Sequence, residues 1–90
     1  MTWRIGFSKE AVSFLKRDRR LSEADAVGLI EQAVRMFGGE RLNVDIKKLK
    51  GEWMGFHRIR KGSLRVIVAF DFGEHSALIE RIDWRGGAYK

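Results

Sequence analysis

The run from Leu64 to Phe72, LRVIVAFDF, constrains this chain more than any other segment. Successive side chains of an extended chain alternate between faces, so Leu64, Val66, Val68, Phe70 and Phe72 share one side and Arg65, Ile67, Ala69 and Asp71 the other. Both sides are largely apolar. A strand of that kind has to be covered twice, which predicts the centre of a sheet rather than an edge. Two further β-rich runs flank it, GFHRIRKG (55–62) and ALIERIDW (77–84), set off by Lys61-Gly62-Ser63 and Gly73-Glu74-His75. Breaks so short predict two antiparallel hairpins.

Upstream, Trp3, Ile5 and Phe7 alternate with Thr2, Arg4 and Gly6, the period of a half-buried first strand. Ser8 is placed to cap a short helix with Glu10 in its first turn and Ala11, Val12, Phe14 and Leu15 on its apolar side, ending at the run KRDRR (16–20). Ser22 and Asp25 resemble a capping box, and Ala26, Leu29, Ile30, Ala33, Val34 and Phe37 follow at helical spacing until Gly38 and Gly39 stop the helix. From Glu40 to Glu52 the pattern is irregular, although Leu42, Val44, Ile46 and Leu49 tuck the segment onto the core, and a loop is expected there. The sum is an α+β fold of order β-α-α-β-β-β, an antiparallel sheet with two N-terminal helices packed on one face.

Ninety residues suit a single domain spanning 1–90. A hydrophobic fraction of 44% supports a core, and no stretch approaches the ~20 apolar residues of a membrane span, so a cytoplasmic protein without membrane contact is expected. There is no cysteine, and the two histidines, His57 and His75, are not at ligand spacing; neither metal nor cofactor is expected. Lys and Arg number 18 against 12 Asp and Glu, a net charge of +6 that favours polyanionic partners, either nucleic acid or an acidic protein. Much of the excess lies in the middle of the chain: Arg41, Lys47, Lys48, Lys50, Arg58, Arg60, Lys61 and Arg65, opposed there only by Asp45 and Glu52.

Within that segment Arg58 and Arg60 fall on one face of one strand. Two guanidiniums in register suit adjacent phosphates, since each offers a planar fork of donors that keeps its charge; a solvated strand edge is the alternative. Lys47, Lys48 and Lys50 extend the candidate phosphate track. Arg65 opens a strand almost free of charge, which suggests either a ligand contact or an ion pair with Asp71 or Glu80. His57 titrates in the useful range for a general base, yet alternation puts it opposite Arg58 and Arg60. Tyr89 and Trp84 suit either base stacking or core packing, and Trp53 reads first as a core plug.

The segment LKGEWMGFHRIRKGSLRVIV (49–68), followed by IERIDWRGGAYK (79–90), resembles the RelE/ParE toxin superfamily, and the β-α-α-β-β-β order extends the resemblance over nearly the whole chain. The RelE branch implies the toxin of a type II toxin–antitoxin pair, a ribosome-dependent endoribonuclease that cuts messenger RNA through attack by a ribose 2′-hydroxyl, with a separate antitoxin as its partner. Carried over by position, Arg65 would stabilise charge on the scissile phosphate, Arg58 and Arg60 would stand where RelE has lysines, Tyr89 would be the orienting tyrosine, and Arg85 would match a family arginine. Asp83 stands where RelE has its proposed proton donor, with structural pairing to Arg81 or Arg85 as its other reading. Arginine is a poor proton acceptor, so replacing both lysines leaves the general base unassigned. The ParE branch implies instead a protein that poisons DNA gyrase by binding, without nuclease chemistry, and a third reading is an inactive relative kept as a binding module.

Overall fold

The computed structural model describes residues 3–84. Five strands form one sheet: β1 (Arg4–Phe7), β2 (Asp45–Lys48), β3 (His57–Lys61), β4 (Leu64–Asp71) and β5 (Ser76–Trp84), in the order β1-β5-β4-β3-β2. Two helices, α1 (Lys9–Arg17) and α2 (Glu23–Phe37), come between β1 and β2. As its two apolar sides required, β4 lies at the centre, with Val66, Ile67 and Val68 fully buried.

Both helices begin where the sequence placed them. Ser8 accepts a hydrogen bond from the Ala11 N–H at the start of α1, and a complete capping box between Ser22 and Asp25 opens α2. At the end of α2, Gly39 takes a positive φ of 106°, a conformation that costs glycine no side-chain clash. Ala11 and Phe14 of α1 join Ala26, Leu29, Ile30 and Ala33 of α2 over the inner sheet residues Ile59, Val66, Val68, Ile79 and Ile82. That single apolar layer faces the helices. A β3–β4 hairpin turns through Gly62-Ser63, with Gly62 at φ 60°.

Two features differ from the sequence reading. The stretch expected as a loop contains β2 and a 3-10 turn at Gly51–Trp53. With four residues, a partner on one side only and Ile46 as its one apolar side chain, β2 carries too short an alternation to stand out. The sheet is also not wholly antiparallel, because β1 runs parallel to β5. The two helices carry the chain from β1 at one edge to β2 at the other, and the antiparallel run through β3 and β4 then returns β5 to lie beside β1.

In β5 the pairing slips: Ile67 faces Arg81 and Val68 faces Ile79, leaving Glu80 as an extra residue. Such a bulge changes which side the following residues face. Past it, Ile82 points to the core while Arg81 and Asp83 join the face away from the helices. Strict alternation from Ile79 would have put Arg81 and Asp83 inside. The bulge sits where Ser8 binds β5, its N–H donating to the Ile79 carbonyl and its hydroxyl to the Glu80 carbonyl at 2.6 Å.

Candidate nucleic-acid interface

Residues opposite one another in the ladder share a face, and on the helix-free face they form two rows. One runs Asp45, Arg60, Arg65, Asp83 across β2, β3, β4 and β5. The other runs Lys47, Arg58, Ile67, Arg81. Strands lie about 4.8 Å apart, so neighbouring side chains in a row are near enough to act on one ligand. The face is therefore predominantly cationic, with four arginines and a lysine against two carboxylates.

Its floor is a small apolar cluster. Leu49 and Ile67 are buried with Trp53 and Phe56 packed against them, so Trp53 is a plug, in agreement with its sequence reading. The Trp53 and Phe56 rings meet edge to face at 5.3 Å. Arg81 stands with its guanidinium 5.6 Å from the Trp53 ring and Nη1 2.9 Å from the Glu10 carboxylate, joining this face to the start of α1.

On the β3 side, Arg58 Nη2 and Arg60 Nη2 each lie 3.0 Å from the same atom, Asp45 Oδ2. Arg58 is the more enclosed, its side chain 12% exposed against 44% for Arg60 and for Asp45. Arg65 is half-buried and forms no ion pair with Asp71 or Glu80; its contact among the described residues is a long one, 3.5 Å to the Gly62 carbonyl. Asp83, opposite it, accepts the Trp84 backbone N–H at 2.7 Å and pairs with no arginine among the described residues.

The other candidates fall elsewhere. His57 lies on the helix side, opposite Val68, with its ring 5.4 Å from Phe37 and 5.5 Å from Phe70. Its pKa is lowered, first by burial and then by the charge of Lys48. Lys48 shares that side in register with His57, and Lys50 precedes the 3-10 turn, so of the three lysines only Lys47 stands in the arginine rows. Arg85 and Tyr89 lie outside the described residues. The structure thus brings Arg58, Arg60, Arg65 and Lys47 together and separates His57 from them.

Three participants were not singled out from the sequence as site residues: Asp45, Arg81 and the run Lys16 to Arg20. The last was a visible signal, read only as the end of a helix. Here the α1–α2 turn and the end of β5 enclose a cleft of about 830 Å³ in which Lys9, Arg17, Arg19, Arg20 and Arg81 face three carboxylates, Glu10, Asp18 and Asp83. Asp18 is the clamp. It accepts from Arg20 Nη2 and from Trp84 Nε1, each at 2.6 Å, and these bonds, Arg20's first, hold its carboxyl well below the usual carboxylate range. Arg20 in turn lies 4.6 Å over the Trp84 ring.

No protein-family model and no curated protein matches the sequence. Solved structures do match over nearly the full chain. The RelBE2 toxin–antitoxin complex of Mycobacterium tuberculosis gives a TM-score of 0.60 at 25% identity, covering 94% of this chain and 100% of the other. The archaeal RelE–RelB complex of Pyrococcus horikoshii OT3 gives 0.61 at 27%, covering 98% and 100%. A mutant of YafQ from E. coli reaches 0.67 at 13%, covering 99% and 100%, a likeness of fold alone. Among the described residues no helix is long and apolar enough to cross a membrane.

Proposed function

We propose, for a chain whose architecture is that of the RelE-like toxin superfamily, that residues 1–90 act as one domain, the toxin of a type II toxin–antitoxin pair. It cuts messenger RNA on the ribosome, in the cytoplasm and without a cofactor. The observation that carries this reading is the cationic face on which Arg58, Arg60, Arg65 and Arg81 converge from three adjoining strands. A face of fixed guanidiniums suits a phosphodiester whose negative charge grows as the reaction proceeds.

In the reaction a ribose 2′-hydroxyl loses its proton and attacks the adjacent phosphorus, and the 5′-oxygen leaves with a proton, so a cyclic phosphate and a free 5′-hydroxyl result. Arg65 is the residue for the developing charge. It is half-buried at the centre of the face, and among the described residues its guanidinium makes only a long contact, 3.5 Å to the Gly62 carbonyl. Arg58 and Arg60 hold neighbouring phosphates, with Lys47 beside them and Lys48 and Lys50 at the margin. Arg85 and Tyr89 retain the roles the resemblance implies, an added cation and a base-positioning ring. Proton transfer falls to Asp83, directly across from Arg65, rather than to His57, whose ring is on the other side of the sheet.

The antitoxin partner follows from the toxin–antitoxin complexes among the structural matches together with the +6 charge, which suits an acidic or amphipathic segment. One observation favours a second reading. The cationic face has no histidine, which suits a binder such as a gyrase poison better than a nuclease. Induction in cells separates the two: arrest of translation with codon-positioned cuts in messages supports the nuclease, and an SOS response with intact messages supports the gyrase poison.

A further inference from the structure

The Asp45 contact is peculiar in its geometry. In the ladder Asp45 stands opposite Arg60, while Lys47 stands opposite Arg58. The Asp45 carboxylate nonetheless reaches diagonally to Arg58 as well, so two guanidinium nitrogens converge at 3.0 Å on one oxygen. Two planar forks closing on a single anionic oxygen is the arrangement that arginine pairs offer to a phosphate.

We infer that the Arg58–Arg60 pair is a phosphate seat which the protein fills with its own Asp45 carboxylate, so that Asp45 sets how many contacts an RNA must make before it binds. The inference rests on the RNA-binding reading of this face and adds a residue that decides affinity. Asp45 opens the four-residue edge strand β2 and is 44% exposed, so its side chain can turn out to solvent without disturbing the core. A carboxylate and a phosphodiester each carry one negative charge, and exchanging one for the other yields little. An isolated phosphate must moreover compete with a tethered group, whose effective concentration is on the order of millimolar. A polyanion has the advantage, because the strand that displaces Asp45 also reaches Lys47, Arg65 and Arg81. The seat therefore discriminates an extended RNA backbone from small phosphates.

The probe is a short fluorescent 2′-O-methyl oligoribonucleotide, whose blocked 2′-oxygens prevent cleavage, titrated at several salt concentrations. Asp45→Asn should bind it about five-fold more tightly than the parent, the scale of one partly exposed ion pair removed. Glu31→Gln, exposed on α2 on the other side of the sheet, changes net charge equally and should alter affinity less than about two-fold, since salt screens an exposed charge that the sheet separates from the seat. The gain from Asp45→Asn should vanish in an Arg58→Gln/Arg60→Gln background. Asp45→Ser should act in the same direction, with each variant's thermal transition checked for folding. Weaker or unchanged binding by both Asp45 variants overturns the seat, as does an equal gain without the two arginines, and so does absence of binding throughout. Failure of the functional reading looks different: it is loss of message cleavage in the parent protein, which these titrations do not measure.

Discussion

Trp84 at the end of β5 donates its indole N–H to the carboxylate of Asp18 in the α1–α2 turn at 2.6 Å. One bond thereby ties the turn carrying Arg19 and Arg20 to the last described strand. Trp84→Phe keeps a ring beneath Arg20 and removes only the donor. It should lower the thermal midpoint while leaving the fold intact, as read by circular dichroism. An unchanged midpoint would mean that the turn is held by other contacts.

Asp18 also makes a statement about acid. Its pKa is depressed in the folded protein, so its contribution to stability is present above the unfolded value of about 3.9 and is lost as pH falls below that. Asp18→Asn should therefore be less stable than the parent at neutral pH, with the difference shrinking toward pH 2. Denaturant midpoints measured along that range check it. A difference that grows with acidity would contradict the clamp.

His57 acts in the same direction, but at higher pH. Burial lowers its pKa, so the unfolded chain binds more protons once pH drops below about 6.5, and stability then declines as pH falls toward the depressed folded value. His57→Phe, which keeps a ring between Phe37 and Phe70, should flatten the stability profile between about pH 7 and 5. It should leave RNA cleavage nearly intact, because the imidazole is on the helix side. A large loss of cleavage in a folded His57→Phe protein would restore the histidine as a base.

The lysines give a graded test of which side binds. Lys47 stands in the row with Arg58 and Arg81, whereas Lys48 faces the helix side beside His57. Lys47→Gln should reduce the salt slope of RNA or ribosome binding by ~0.7–0.9, one phosphate contact, and Lys48→Gln should reduce it by clearly less. Equal effects would show that only bulk charge matters.

How much of this was legible in the sequence depended on the range of the interactions. The two helices carry local signals in Ser8 and in the Ser22–Asp25 capping box, and β3, β4 and β5 alternate clearly enough to put Arg58 and Arg60 on one face. The partner of β1 was not legible, since a parallel pairing across two helices and three strands leaves no local mark on Ile5 or Ala77. Nor was β2, with one inward apolar residue, Ile46. The bulge at Glu80 was the costliest omission, because it re-aims Arg81 and Asp83 into the cationic face while periodicity points them inward. Asp45 looked from the sequence like a stray acid among bases; its role as the shared partner of Arg58 and Arg60 exists only once β2 pairs with β3.

The central claim is that the Arg65 face performs chemistry on a phosphodiester, and mapping RNA 5′ ends in cells after induction tests it most directly. The parent protein should produce new 5′ ends at codon-defined positions within translated messages. Arg65→Ala should lower the cleavage rate about 10²–10³-fold, the scale for one lost transition-state donor, while ribosome association survives. Its fold should also survive, because Arg65 forms no ion pair among the described residues. Arg65→Lys should fail to rescue a site that uses the planar fork. Codon-positioned ends that vanish with Arg65→Ala are the predicted result; intact messages under the parent protein, or undiminished cutting by a folded Arg65→Ala variant, would contradict the account.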